Sequence, residues 1–219
     1  MAELIWLVRH GSIDRPQPHR FLGQGDPPLN PLGIRQARAL HARLSGLDFA
    51  EVFCSPLRRA VTTAALISGR PESALRRETG LVEIDLGDWE GLSVAEVRER
   101  FPGAYERRGA DLAHARPRNG ESFADLEARA WPVLEAAAAT VRRSGKPVLM
   151  VAHAGVNRVL LARLLGRPMA EVLEIPQGYA AVNRLRVTPD RVLVEAMDLR
   201  LSDRDERGKT AGSPPGSRS

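Results

Sequence analysis

The 219-residue sequence contains a single cysteine and no long hydrophobic run. A lone cysteine, Cys54, cannot form an internal disulfide, which is typical of proteins from a reducing compartment. No stretch approaches the roughly 20 apolar residues that cross a bilayer. The N-terminal residues also lack the basic and small-residue features of a signal peptide. These absences predict a cytoplasmic protein without a membrane partner.

The basic residues outnumber the acidic ones, 32 to 27, which gives a net charge of +5. Such an excess can indicate nucleic-acid binding. Here, however, the arginines are scattered among acidic residues, and no basic block is interleaved with aromatic residues. No nucleic-acid-binding motif occurs, so no nucleic-acid partner is predicted. An anionic small substrate accounts for part of the excess.

Metal-binding and nucleotide-binding motifs are also missing. The histidines do not occur at a metal-ligand spacing such as H-x-x-x-H, and there is no G-x-x-x-x-G-K-[ST] phosphate loop. The sequence therefore predicts no metal and no cofactor.

Strand and helix signals alternate along the chain, which favours an α/β fold with a largely parallel sheet. We predict a three-layer α/β/α sandwich with a mostly parallel central sheet, an antiparallel edge strand and a small cap segment. The predicted strands are residues 4–9, 52–55, 75–77, 148–152, 182–187 and 192–197. The predicted helices are residues 32–44, 56–67, 94–100, 122–143 and 156–165.

The chain divides into one domain and a tail. Residues 1–201 form the predicted domain, with a cap-like insertion at about 84–120. Residues 202–219 contain no hydrophobic residue except Ala211 and are predicted to be disordered. The last two predicted strands form a hairpin at the sheet edge. A second copy of the chain could cover that edge, so a homodimer is one open expectation.

The first predicted strand ends in the pentad Leu7-Val8-Arg9-His10-Gly11. Ligands of open α/β sheets bind outside the carboxyl ends of the strands. An arginine and a histidine therefore stand side by side where a site is expected, and the glycine allows a close backbone approach. The alternative is a solvated strand end with two incidental polar residues.

Other chemistry-bearing residues follow further along the chain. Arg59 lies just after the second strand, His153 ends the fourth, and Glu83 lies in an irregular segment. Arginine binds phosphate in a bidentate way, imidazole can attack phosphorus, and a carboxyl group can protonate a leaving oxygen. Each residue alone has an ordinary alternative: a solvated helix start for Arg59, a core histidine for His153 and a surface acid for Glu83.

The motifs around these residues resemble the histidine phosphatase superfamily, in its phosphoglycerate-mutase-like branch. The match covers roughly residues 4–187, and its motifs occur in family order. The pattern is most similar to α-ribazole phosphatases and broad-specificity phosphatases. The matching motifs are R-H-G at Arg9, G-x-x-D-x-P-L-x-x-x-G-x-x-Q-A at Gly23, S-P-L-x-R-A at Ser55, E-I-x-x-G-x-W-E-G at Glu83, G-E-S at Gly120 and H-A-G at His153.

The resemblance implies a role for each matched residue. His10 would become a phosphohistidine, Arg9 and Arg59 would bind the phosphate, Glu83 would donate a proton, and His153 would contact the phosphoryl group. These five residues form the predicted catalytic set. The predicted phosphate- and substrate-binding residues are Arg9, Arg59, His153, Gly23, Gln24, Ser12 and Ala154.

One part of the family pattern is missing. The family often has Glu-Thr after R-H-G and then an asparagine that touches phosphate, whereas this chain has Ser12-Ile13-Asp14-Arg15 and no asparagine before Asn30. Gln17 and Ser12 are the candidate substitutes. The substrate-side contacts of this loop are therefore open.

The resemblance implies a metal-independent phosphomonoesterase that hydrolyses a small phosphorylated metabolite. Mutases carry a longer basic and aromatic insertion after the acid, whereas the segment between Glu83 and Gly120 is short here. This difference favours a phosphatase. A phosphoglycerate mutase-type transfer and a catalytically idle protein that binds phosphorylated ligands are the alternatives.

Overall fold

The computed structural model describes residues 3–15 and 18–200. Gln17 and the predicted disordered tail lie outside the described residues. The described part of the chain is built on a six-stranded sheet with the order β3-β2-β4-β1-β5-β6. The strands are β1 (Leu4–Arg9), β2 (Val52–Cys54), β3 (Arg76–Arg77), β4 (Val148–Ala152), β5 (Val182–Val187) and β6 (Val192–Leu199).

The sheet is parallel from β3 to β1 and antiparallel from β1 to β6. Arg9 lies opposite Ala152, and Cys54 lies opposite Val151. Because parallel strands end at the same edge of a sheet, the residues after β1, β2 and β4 become neighbours. The predicted mostly parallel sheet with an antiparallel edge is confirmed.

Helices cover both faces of the sheet. Helices α1 and α2 pack with Val8, Val52 and Val151, whereas α5 and α6 pack on the opposite face with Leu7 and Met150. The alternation follows from the two-residue period of a strand, and it confirms the three-layer sandwich. The helices are α1 (Pro31–Leu44), α2 (Arg58–Ser68), α3 (Val94–Arg100), α4 (Ala104–Ala110), α5 (Phe123–Ser144) and α6 (Ala154–Leu165), with 3-10 turns at Glu72–Ala74, Thr79–Leu81, Gly87–Trp89 and Met169–Glu174.

Local signals explain where several helices begin and end. The Asn30 side chain accepts from the Gly33 N–H at the start of α1. Ser122 forms a capping box with Asp125 at the start of α5, and that helix continues through Pro132 to the left-handed Gly145. A side-chain cap of this kind contributes about 1 kcal/mol to stability.

Three helices differ from the sequence-based expectation by two residues or more, and strand β6 ends at Leu199 rather than residue 197. Helix α2 begins at Arg58 rather than residue 56, because Leu57 has an extended backbone with ψ of 135°. Helix α6 begins at Ala154 rather than residue 156, so His153 becomes its N-cap. Helix α4 in the cap segment was not predicted; it follows Gly103, whose φ of 73° is strained for other residues.

The structure also addresses the features that the sequence has little of. Cys54 is fully buried, and burial raises the pKa of its thiol to about 11, as for a structural cysteine. Among the described residues, no helix is long and apolar enough to cross a bilayer. Strand β6 lies at the sheet edge. A homodimer through this edge remains a prediction.

Candidate active site

The predicted catalytic residues meet at the carboxyl ends of β1, β2 and β4. The backbone N–H of His10 donates to the Ala152 carbonyl at 3.0 Å, and that of Ser55 donates to Val151 at 3.0 Å. These bonds extend the strand pairing by one residue. As a result, the rings of His10 and His153 lie with their centroids 5.1 Å apart.

His10 is held in one tautomer. Its side chain is 4% exposed, and its Nδ1 lies 2.8 Å from the Gly11 carbonyl oxygen. A carbonyl oxygen can only accept, so Nδ1 carries the proton and Nε2 keeps its lone pair. The geometry leaves His10 with a nucleophilic nitrogen, as an attack on phosphorus requires.

Arg59 is braced by a glycine-rich loop. Arg59 is 1% exposed, and its guanidinium donates to the carbonyls of Gly25 and Gly23, at 2.5 and 2.8 Å. The carboxylate of Glu90 in turn accepts from the N–H groups of Gly23 and Gly25, at 2.9 and 3.0 Å. The predicted binding residue Gly23 therefore positions Arg59 through its carbonyl group. The Gly25 carbonyl does the same, and Glu90 holds the two glycines in place. The sequence analysis did not identify Gly25 or Glu90 as site residues.

Arg9 is held by residues that precede β5. Its Nη1 donates to the Gln177 carbonyl at 2.6 Å, and its guanidinium lies 4.0 Å over the Tyr179 ring. The ring of Tyr179 is also 5.6 Å from that of His10. The sequence analysis missed Gln177 and Tyr179, because no spacing motif links them to the strand end that they contact.

His153 is fully buried at the start of α6. Its Nε2 lies 2.8 Å from the Ser55 hydroxyl. Within the described part of the chain, its Nδ1 has no hydrogen-bond partner, and neither do the Nε atoms of Arg9 and Arg59. A buried polar group without a partner costs about 1–3 kcal/mol. A bound anion would supply the missing acceptors for the arginine N–H groups.

Glu83 lies against the first turn of α6. Its carboxylate accepts from the Gly155 N–H at 3.1 Å and from its own neighbour Ile84 at 2.9 Å. A Cβ at position 155 would lie 2.3 Å from the Glu83 Oε1 atom. The glycine of the H-A-G motif is therefore needed so that the carboxylate can approach the helix N-terminus, where it is also stabilised by the helix dipole.

The ion pair between Arg129 and Glu121 fixes the backbone of Glu83. Arg129 donates to the carbonyls of Gly80, Val82 and Glu83, at 3.0, 2.7 and 3.1 Å. The carboxylate of Glu121 pairs with Arg129 at 2.7 Å. Glu121 belongs to the G-E-S motif, so this contact gives that motif a structural role in the site.

The other predicted binding residues surround this centre. The amide of Gln24 donates to the Glu83 carbonyl at 3.3 Å. Ser12 is buried, and its hydroxyl accepts from Asn30 at 3.3 Å. Asn30 caps α1 and does not stand in for the missing family asparagine. Ala154 follows His153 directly and lines the cleft described next.

An open cleft of about 310 Å³ adjoins the Glu83 side chain. Its lining includes apolar side chains, among them Phe21, Ile84, Leu86 and Phe123, and a set of basic side chains that we call the basic wall. Glu83 and Ala154 line this cleft, whereas His10 and His153 do not. The basic wall contains Arg15, His19, Arg20 and Arg158.

The pKa values of both histidines are lowered well below 6.5. Burial is the main cause for each. Arg9 and Arg59 add to it for His10, and His10 and Arg59 for His153. Both imidazoles are therefore neutral at pH 7, where a nucleophilic His10 requires an unprotonated ring.

This lowering predicts an acid-dependent loss of stability. The unfolded chain protonates its histidines near pH 6.5 whereas the folded chain does not, so the unfolded state binds more protons as the pH falls. We expect the free energy of unfolding to decrease below pH 6.5, by up to about 1.4 kcal/mol per pH unit for each buried histidine. Urea unfolding at pH 7, 6 and 5 measures this free energy. A His153→Gln variant should show a shallower decrease, and an identical slope in both proteins would contradict the assignment.

Comparison with known proteins places this geometry in a family. The profile described as the histidine phosphatase superfamily (branch 1) matches residues 5–199. The chain belongs to this superfamily. The predicted resemblance is thereby confirmed, and the chain falls in the class of the phosphoric monoester hydrolases.

Similar proteins within the superfamily have different activities. The chain is 33% identical to an adenosylcobalamin/α-ribazole phosphatase of Escherichia coli, over 75% of this chain and 80% of that protein. It is 37% identical to a 2,3-bisphosphoglycerate-dependent phosphoglycerate mutase of Methylobacterium radiotolerans, over 84% and 91%. A solved mycobacterial glucosyl-3-phosphoglycerate phosphatase superposes with a TM-score of 0.75 at 30% identity, covering 90% of this chain and 99% of that one. The family thus includes phosphatases and mutases.

Proposed function

We propose that this protein hydrolyses a small phosphorylated metabolite through a phosphohistidine on His10, without a metal. The observation that carries the proposal is the environment of His10. Its Nε2 keeps a lone pair, because Nδ1 donates to the Gly11 carbonyl, and Arg9, Arg59 and His153 surround the same point. The positive charges of Arg9 and Arg59 suit the charge on the phosphoryl oxygens.

The first step transfers the phosphoryl group to the protein. The Nε2 lone pair of His10 forms a bond to phosphorus while the bond from phosphorus to the ester oxygen breaks. Glu83 gives its carboxyl proton to that oxygen, and the alcohol leaves. Arg9, Arg59 and His153 hold the phosphoryl oxygens as their charge shifts.

The second step returns the protein to its starting state. A water molecule in the cleft attacks the phosphohistidine and gives a proton to the Glu83 carboxylate. The N–P bond breaks, inorganic phosphate forms, and Nε2 of His10 recovers its lone pair. One carboxyl group therefore acts as an acid first and as a base second.

Two features favour hydrolysis over transfer between hydroxyl groups. The segment between Glu83 and Gly120 is short, and the cleft beside Glu83 opens to solvent past the exposed side chains of Arg15 and His19. Water can therefore reach the carboxyl group. The relationship to the Methylobacterium mutase supports phosphoglycerate mutase activity as the alternative.

The test is phosphate release from a panel of phosphomonoesters in excess chelator. We expect phosphate release without added metal, and its ranking across the panel will narrow the substrate. Interconversion of 2- and 3-phosphoglycerate, with and without 2,3-bisphosphoglycerate, is measured in parallel. Interconversion without net phosphate release would favour the mutase. The absence of both activities would favour an idle protein that binds phosphorylated ligands.

A further inference from the structure

The basic wall of the cleft consists of residues other than those assigned to the phosphoryl group. The cleft adjoins Glu83 but does not include His10, Arg9, Arg59 or His153. A leaving group protonated by Glu83 would extend into this cleft. Arg15 and Arg158 are close enough to Arg9 to help lower its pKa, so the cleft adjoins the phosphoryl site and its charges would meet the leaving alcohol.

Arg158 is half-buried in this wall without a carboxylate partner. It lies on α6, one turn after Gly155, and its Nε donates to the Ile175 carbonyl at 2.9 Å. Among the described residues, its terminal nitrogens have no acceptor, and no carboxylate lies within 4.0 Å. Burial lowers the pKa of its guanidinium, whereas the negative charges of Glu83 and Asp198 partly offset this effect.

Arg15 stands in the same wall with a similar arrangement. Its Nε donates to the Tyr179 hydroxyl at 2.9 Å, and its terminal nitrogens have no acceptor within the described ranges. Arg20 differs, because its Nη1 pairs with Glu96 at 2.7 Å and also donates to the Gly91 carbonyl. Thus two arginines of the cleft are anchored through Nε and keep their terminal N–H groups unpaired.

We propose that Arg158 and Arg15 bind a second anionic group, carried by the leaving alcohol of the substrate. This inference rests on the proposed phosphatase function. The terminal N–H groups of arginine form bidentate bonds with a carboxylate or a phosphate, which are the groups that fit this wall. The apolar part of the lining, with Phe21, Ile84 and Phe123, would pack against the carbon skeleton. The substrate is a phosphomonoester with an apolar body and a distal acid.

Two pairs of esters test the proposal. Phenyl phosphate differs from 4-carboxyphenyl phosphate by a distal carboxylate and from 1,4-phenylene bisphosphate by a second phosphate. We expect kcat/KM to be at least about 10-fold higher for the more anionic member of one pair, from one charge-assisted contact. The pair that shows the preference identifies the anion. No preference in either pair would overturn the proposal.

Substitutions assign the preference to particular residues. Arg158→Met removes the charge and keeps the apolar stem, and we expect it to reduce the preference by about 10- to 100-fold. Arg15→Met should reduce it as well, and it tests the exposed member if the Arg158 variant does not fold. The matched control is Arg167→Met, an exposed arginine outside the cleft. Equal losses on both members of a pair would contradict the assignment.

A binding measurement separates this inference from the proposed hydrolysis. Benzylphosphonate and 4-carboxybenzylphosphonate carry a P–C bond and cannot be hydrolysed. We expect the carboxylated compound to bind at least about 10-fold more tightly to the wild-type protein and to lose this advantage in Arg158→Met. If no ester is hydrolysed, the hydrolysis proposal fails while this result still decides the anion site. Equal affinities would reject the site alone.

Discussion

The His10→Ala variant is expected to lose phosphomonoesterase activity by about four orders of magnitude or more, because the nucleophile itself is removed. The structure gives His10 a single available nitrogen, Nε2, among Arg9, Arg59 and His153. Arg9 and Arg59 are cationic and carry no lone pair, so neither can take its place as the nucleophile. The measurement is kcat/KM for phosphate release from the best ester of the panel.

Two variants separate chemistry from folding. His114→Ala is the matched control, because this histidine is exposed and, among the described residues, its ring pairs with the Asp111 carboxylate. His10→Asn retains an amide N–H that can donate to the Gly11 carbonyl and avoids a large cavity. It should fold and remain inactive. Activity of His10→Asn within about 10-fold of wild type would refute the nucleophile assignment.

A trapped intermediate gives an independent result. An N–P bond is stable in base and labile in acid, so a rapid alkaline quench with radiolabelled ester should leave label on the wild-type protein. The label should disappear on acid treatment and be absent from His10→Asn. Acid-stable label would indicate a different nucleophile.

The sequence predicted the layers of the fold and the strand ends because both depend on short-range patterns. The apolar runs before Arg9 and His153 are buried strands, and parallel pairing brings their ends together whatever the loops do. The start of α6 was predicted two residues late, because Ala154 and Gly155 carry no helix-start signal. Helix α4 was missed because it is only seven residues long and its buried position is an arginine, Arg108, so it has no apolar periodicity.

Residues that position the catalytic set were harder to predict. Gln177 holds Arg9 across 168 residues of sequence, and Gly25 holds Arg59 across 34. Both contacts use backbone carbonyl groups, which every residue possesses, so the residue types carry no signal. In the sequence, Glu121 stands out only as part of the G-E-S motif. Its ion pair with Arg129 depends on two segments that meet only in the folded chain.

The Glu83→Gln variant is expected to discriminate between esters by the acidity of their leaving groups. An alkoxide leaves slowly without a proton, so kcat/KM for alkyl esters should fall by about 10²- to 10⁴-fold. Activated aryl esters leave without such help and should lose less than about 10-fold. The amide is close in size to the carboxylate, and its oxygen can still accept from the Gly155 N–H, which limits structural change. Glu99→Gln, at an exposed position of α3, is the matched control.

The choice of kcat/KM matters because Glu83 has a part in both proposed steps. In the second step its carboxylate would take a proton from water, and this step is the same for every ester. If the substitution slowed only this second step, kcat would fall equally for all substrates. The value of kcat/KM would not change, because release of the alcohol precedes the second step. Equal losses in kcat/KM for alkyl and aryl esters would therefore show that Glu83 does not protonate the leaving group.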